Sequence, residues 1–426
     1  MRFDAGPVRR PDPEPTRRQL LGVAGAATLL AACAPLQAAP DSPASAASPA
    51  ATPLSCVDFD MLWRRYLAQC VQADGRVVDH DTPEQISTSE GQAYTLFLAL
   101  VADDRACFDR VLAWTRHNLA GGDFAARLPA WLWGQRNGQW GVLDPNAASD
   151  ADLWMAVALF EAARLWNQPA YAETARAIVQ LIRRDEIADV PGLGRMLLPG
   201  PKGFALADRL IWRFNPSYSA VHPLRALATH DPGGPWAALV EQGLAMTRAV
   251  SPNGLAPDWV SWQAGRGAQP AQWLAQDLEK GDSGSYDAIR CYLWAGVLPA
   301  QDPARAPLLK SLGGLQPLLQ GDGPVPEYLS TRGGTAPRGS GPPGFDAAVL
   351  PYLAALGDRA ALGRRLERLR AAMGRPLRYY DLVLMLFGVG SLQGRWSCGT
   401  DGLLRRRAPA RYQNTPQDST CRNTPA

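Results

Sequence analysis

The chain has 426 residues, 46% of them hydrophobic, and sets 43 Lys and Arg against 40 Asp and Glu for a net charge of +3. That length and apolar content suffice for a large buried core and exclude a disordered or fibrous protein. The near-balanced charge excludes a general polyanion binder, so no nucleic-acid partner is expected, and fourteen tryptophans point toward a neutral ligand with flat apolar faces.

In chain order, residues 1–34 read as an export signal. Arg17 and Arg18 precede an apolar run from Leu20 to Ala32 that is too short for an ordinary membrane span. The paired arginines have the form of a twin-arginine signal, and "LAAC", Leu30 to Cys33, has the form of a lipobox whose cysteine becomes lipidated. Cleavage after Ala34 is the competing outcome. Either way the mature protein is exported: to the periplasm, with or without a lipid anchor at Cys33, or beyond the cell. Residues 35–54 are rich in Pro, Ala and Ser without apolar periodicity and read as a linker. Beyond Cys33 the chain has six cysteines: Cys56, Cys70, Cys107, Cys291, Cys398 and Cys421. An even number in an oxidising compartment allows a disulfide without fixing its connectivity, while Cys291, inside an apolar run, reads as a buried thiol. With no CxxC and four scattered histidines, neither a metal nor an organic cofactor is expected.

From 55 to 403, apolar runs at helical spacing alternate with turns rich in Gly, Pro and Asp. They predict helices over 57–72, 88–101, 104–119, 150–166, 169–184, 217–229, 235–249, 285–297, 303–319, 344–356, 358–373 and 377–389. Strands are expected only as short hairpins in long connections, such as 191–214 and 324–343. Runs such as "RACFDRVLAWTRHNL" carry charge on one face, whereas "DLWMAVALFEAARLW", "YDAIRCYLWAGVL" and "YYDLVLMLFGVG" are apolar nearly all round. Alternation of the two kinds predicts an all-α fold, an (α/α)6 barrel whose inner ring of helices is wrapped by an outer ring. Residues 404–426 read as a C-terminal tail.

Three of the buried runs open with acids: Glu90 in one, Asp150 and Asp152 in the next, Asp287 in the third. Helix capping explains each singly, because Ser87 with Glu90 and Ser149 with Asp152 form capping boxes and Ser285 is placed to cap the third helix. Parallel inner helices, however, gather these acids at one mouth of a barrel. Carboxyl groups around a cleft are what glycoside hydrolysis requires, one donating a proton to the leaving oxygen and one activating water or attacking the sugar. Trp131, Trp133, Trp212, Tyr218, Trp259 and Trp262 lie in contexts suited to sugar stacking, with core packing the alternative for each.

The stretch "ASDADLWMAVALFEAARLW", residues 148–166, resembles the signature of glycoside hydrolase family 8. "TSEGQAY", "RLPAWLWG", "WRFNPSY", "PDWV" and "SYDAIR" are similar, in the same order, to its cellulose-synthase-associated branch. The resemblance implies an inverting endo-β-1,4-glucanase acting on cellulose chains during secretion, in association with a synthase complex. It implies Glu90 as general acid, Asp287 as general base and Asp150 holding the sugar at the cleavage point. Tyr286 and Arg290 of "SYDAIR" join the expected substrate-binding residues. A xylanase, mixed-linkage glucanase or chitosanase would share the acid and base. The reading of another class, a non-catalytic glucan-binding lipoprotein, is disfavoured by the presence of Glu90, Asp150 and Asp287 together.

Overall fold

The computed structural model describes residues 57–407. The expected signal, Cys33, the linker, Cys56, Cys421 and the residues after 407 lie outside it.

Thirteen α-helices form the described part: α1 (Phe59–Cys70), α2 (Ser89–Ala102), α3 (Arg105–Asn118), α4 (Ser149–Leu165), α5 (Pro169–Asp185), α6 (Val221–His230), α7 (Trp236–Val250), α8 (Ile289–Gly296), α9 (Arg305–Ser311), α10 (Pro343–Ala348), α11 (Leu350–Leu356), α12 (Arg359–Ala372) and α13 (Tyr379–Leu392). The helices α2, α4, α6, α8, α10 with α11, and α13 are buried along nearly their whole length. The intervening helices bury one stripe; in α5 it is Tyr171, Ala175, Ile178 and Ile182, the spacing of a single helix face. Consecutive helices pack as antiparallel hairpins, so the inner six run in one direction, and α1 closes the ring against α13. This is the (α/α)6 barrel expected from the two kinds of helix.

Aromatic rings fill the barrel axis. Trp154 of α4 meets Phe97 of α2 at 4.9 Å, His222 of α6 at 5.1 Å, Trp294 of α8 at 5.1 Å and Phe387 of α13 at 5.3 Å between ring centroids. Trp396, which follows α13, covers Phe97 and Phe387 at one end. Neither ring nitrogen of His222 has a hydrogen-bond partner, and burial pushes its pKa down to about 3, so it packs as a neutral ring.

Several boundaries differ from expectation for local reasons. The run 344–356 breaks into α10 and α11 before Pro351, and 303–319 becomes α9 followed by a 3-10 turn, Gly313–Leu319, that contains Pro317. Both connections named for hairpins contain antiparallel pairing, Ala205–Leu206 with Ile211–Phe214 and Tyr328 with Arg338, and other connections carry strands as well. Leu132–Arg136 pairs with Gln139–Asp144, Ile187–Val190 with Gly194–Leu197, and Ala205–Leu206, Ile211–Phe214, Val260–Gln263 and Gln272–Trp273 form a four-stranded sheet. Within 324–343, Tyr328 and Arg338 form an antiparallel bridge as the expected hairpin requires, and Leu329–Ser330 also pairs outward with Ser283–Gly284. The folded unit also extends past the boundary expected at 403. Leu404–Arg406 pairs with Trp396–Cys398, and the Leu404 N–H is accepted at 2.8 Å by Glu161, a buried acid of α4 also held by His230 and Arg164. Cys70, Cys107, Cys291 and Cys398 are buried free thiols, each pushed up to about 12 by burial. Among the described residues no helix is long and apolar enough to cross a membrane.

Close helix crossings in the inner ring depend on glycine. A Cβ on Gly388 of α13 would lie 2.0 Å from the Ala347 carbonyl oxygen of α10, whereas one on Gly363, exposed on α12, would meet nothing. Gly388→Ala is therefore expected to destabilise the protein by about 1–3 kcal/mol. Gly363→Ala should stabilise it by up to about 1 kcal/mol. Melting curves of the two variants should shift in opposite directions.

Candidate active site

At the mouth where the inner helices begin lies an open cleft of about 1260 Å³, lined by groups that include Glu90, Asp287, Trp131, Trp259, Tyr286 and Arg290. The helix order explains the meeting. In a ring of six, α2 and α8 stand three places apart in either direction, so acids at their starts face each other across the mouth.

Glu90 is the second residue of α2 and is half-buried. The helix is capped by Thr88, whose hydroxyl accepts the Gly91 N–H at 3.0 Å, while Ser87 instead accepts from the Arg76 guanidinium. The capping box expected between Ser87 and Glu90 is absent, and the Glu90 carboxylate takes a hydrogen bond from Ser89 at its rim. At α4 the cap residue is Ala148, with no side-chain cap, so Ser149 and Asp152 form no box either. The third expected cap is also replaced. Helix α8 begins at Ile289, and Asp287 sits in the turn before it; Asp258 Oδ1 accepts the backbone N–H groups of Ser285, Asp287 and Ala288 at 2.8, 3.0 and 2.9 Å. One carboxylate oxygen thus shapes the turn that presents Asp287.

Both oxygens of Asp287 receive donors: Arg290 Nη2 to Oδ1 at 2.9 Å and Trp259 Nε1 to Oδ2 at 3.0 Å. Arg290 also donates to Ser217 Oγ at 2.9 Å and stands 3.8 Å from Asp150 Oδ2. Burial works against its charge, but Tyr94, Tyr380, Asp287 and Asp150 around it hold its pKa well above the ordinary arginine value. Asp150 is buried beneath the cleft, its Oδ2 accepting from Tyr94 at 3.3 Å. One guanidinium therefore links the two aspartates.

The aromatic candidates separate. Trp131 lines the cleft and donates to Asp144 at 2.5 Å. Tyr286 lines it and donates to Glu327 at 2.8 Å. Tyr218 lies just behind, 3% exposed, under the Arg290 guanidinium. Trp259 reaches the cleft, but Phe204 stacks on its ring at 5.6 Å and it is 4% exposed, so no open face remains for a sugar. Trp212 and Trp262 are cross-strand neighbours packed with Trp273 in a second apolar cluster and do not line the cleft. Trp133 stacks at 5.2 Å on Trp140 beside the Arg76 guanidinium, also outside the lining. These three turn inward or outward because strand alternation, invisible in the turn-rich sequence, sets their faces. Sequence reading missed Asp258, Tyr94, Tyr379 and Tyr380. The doublet "YY" opening the apolar run of α13 carried the same signal as the acids, polar groups at the start of an inner helix. Among the described residues no three His, Cys, Asp or Glu side chains are arranged to hold a metal ion.

Deeper than Asp150, Asp152 and Glu186 are wholly buried neighbours, and among the described residues no hydrogen-bond donor or cation stands against either carboxyl group. Burial, with the charge of Asp150 adding at both and that of Asp152 adding at Glu186, raises the two groups well above the ordinary values of 3.8 and 4.5. A folded-state pKa above the unfolded one means the folded state binds more protons, so stability falls as pH rises above that ordinary range. Asp152→Asn, which removes one of the two raised groups, is expected to show a shallower fall in melting temperature than wild type between about pH 5 and pH 9.

The chain matches the model of glycosyl hydrolases family 8 over residues 41–394. It is 45% identical over 396 residues to an endoglucanase of Xanthomonas axonopodis pv. citri (strain 306), an alignment covering 91% of this chain and 96% of that one. An endoglucanase of Escherichia coli O157:H7 is 41% identical over 343 residues, covering 80% of this chain and 89% of its own. The crystal structure of endo-1,4-D-glucanase from Vibrio fischeri ES114 superposes with a TM-score of 0.75 at 39% identity, covering 82% of this chain and 99% of that chain.

Proposed function

The chain belongs to glycosyl hydrolases family 8 and is a glycoside hydrolase, and from that premise we propose that it is an endo-β-1,4-glucanase that cleaves with inversion. The observation that carries the reading is that Glu90 and Asp287, from opposite members of the inner ring, share one cleft with Asp150 beneath it. The names of its relatives support the polymer class.

In this reading Glu90 gives its proton to the glycosidic oxygen as the bond to the anomeric carbon breaks. Asp287 takes a proton from a water that attacks the opposite face, a geometry that needs the two carboxyl groups about 6.5–9.5 Å apart. Arg290 and Trp259 fix the Asp287 carboxylate while leaving it lone pairs for that water. Arg290, backed by Asp150, holds the sugar hydroxyl groups at the cleavage point, and Trp131 and Tyr286 supply apolar surface for neighbouring rings. The enzyme works outside the cytoplasm on glucan being secreted beside its synthase, anchored through lipidated Cys33; the signal-like N-terminus and the resemblance support this.

Glu90→Gln and Asp287→Asn are each expected to lower turnover of cello-oligosaccharides roughly 100- to 10,000-fold. Their melting temperatures should stay near wild type, because neither residue caps a helix. Early NMR spectra of fresh product should show the α-anomer. Near-normal turnover in either variant, initial β-anomer, or faster cleavage of xylan or chitosan than of carboxymethyl-cellulose would each overturn the corresponding part of the assignment.

The anchoring is tested by fractionating cells that express the wild type and Cys33→Ser. Wild-type enzyme should sediment with membranes and the variant should be soluble and equally active. Soluble wild-type protein refutes the anchor.

A further inference from the structure

Trp259 spends its polar atom on another residue. Its indole N–H points at Asp287 Oδ2, 3.0 Å away, and its ring is fixed on several sides. Phe204 stacks on it at 5.6 Å with 16° between planes, Tyr218 meets it at 6.2 Å, and the Arg213 guanidinium lies over it at 5.3 Å. Arg213 cannot drift, because it is 4% exposed and donates twice to the buried Asp277, Nε to Oδ2 at 3.0 Å and Nη2 to Oδ1 at 2.8 Å. Asp277 is held in turn by Ser261 Oγ and by the backbone N–H groups of Glu279 and Lys280. The chain of contacts therefore runs from a buried ion pair through an aromatic stack to one oxygen of one carboxylate. Core packing alone does not require the indole nitrogen to face the cleft; a partner for Asp287 does.

We propose that Trp259 is a positioning residue for hydrolysis: its N–H, held in place by Phe204 and by the Arg213–Asp277 pair, orients Asp287 and stabilises its charged form. This rests on Asp287 being the general base. A donor to the carboxylate favours the ionised state, so its removal should make Asp287 easier to protonate and leave its rotamer less defined. Other groups also act on Asp287. Arg290 donates to its second oxygen, and Asp258 accepts its backbone N–H. Tyr380 of α13 and Cys291 of α8 lie within its field, Asp150 approaches through Arg290, and Glu90, Lys280 and Tyr286 line the same cleft. None of these contacts is removed when only the indole N–H is lost, which is what makes the effect separable.

The test measures kcat and KM across pH on cellopentaose for Trp259→Phe and for a protein carrying β-(3-benzothienyl)alanine at 259, which keeps the bicyclic shape and replaces N–H by sulfur. The low-pH limb of kcat/KM, which reports the general base, should move upward by about one pH unit in both, the scale of one hydrogen bond to a charged group. At the optimum kcat should fall roughly 10- to 100-fold while KM stays within about threefold. Asp277→Asn, two links away, should shift the limb in the same direction by less. A uniform loss at every pH with the limb unmoved would show that Trp259 only packs, and an unchanged kcat in the benzothienyl protein would remove it from the mechanism. If Asp287→Asn itself turns over normally, the base assignment has failed instead, so the two failures are told apart.

Discussion

The inner ring of six helices has no side facing water, and this constraint governs where every ionisable group in the barrel is found. A helix surrounded by other helices on one side and by the axial aromatic cluster of Phe97, Trp154, His222, Trp294 and Phe387 on the other must be apolar all round. A charge in its middle survives only with partners, as Glu161 does against Arg164 and His230. Acids are more easily tolerated at the helix ends, where solvent and unsatisfied backbone groups reach them. Parallel orientation then collects those ends at one mouth. The cleft is a consequence of how the core excludes charge.

Not every acid at that mouth serves it, and their surroundings decide which do. Asp346 of α10 turns outward to Arg365 and Arg368 of α12. Asp381 of α13 accepts the Gly344 and Arg378 backbone N–H groups and acts as a cap. Asp152 lies wholly buried beside Glu186 below the floor, where burial raises both acids well above the ordinary carboxylate range. Glu90 and Asp287 differ from these in being half-buried and in lining the cleft. The same residue types at the same kind of position thus perform structural and chemical work according to whether a cation, a backbone donor, a second carboxyl or open space stands opposite.

The order around Asp287 is carried by groups far apart in the chain. Asp258 sets the backbone turn, Arg290 joins Asp287 to Asp150, and Trp259 transmits the rigidity of the Arg213–Asp277 pair. Three kinds of interaction, backbone acceptance, ion pairing and a neutral donor on an aromatic frame, therefore act on one carboxylate from different directions. Such over-determination favours a single rotamer for that carboxylate at the cleft.

The sequence by itself determined the helical class, the alternation of buried and amphipathic helices, and the acids that open the inner ones, because helical periodicity and an all-apolar run are local properties readable over a dozen residues. It located Glu90, Asp150 and Asp287 through the same signal. It did not determine caps or aromatic roles. Ser87 and Thr88 are both competent caps by composition, and only the pairing of Ser87 and Thr88 with Trp133 and Leu132 gives the cap to Thr88. Trp131, Trp133, Trp212 and Trp259 look alike in turn-rich stretches, yet Trp131 and Trp259 line the cleft, the latter holding a carboxylate, while Trp133 stacks on Trp140 and Trp212 packs in a side cluster. Those assignments depend on which residue stands opposite each ring, and contacts between segments tens of residues apart are fixed only when the chain packs.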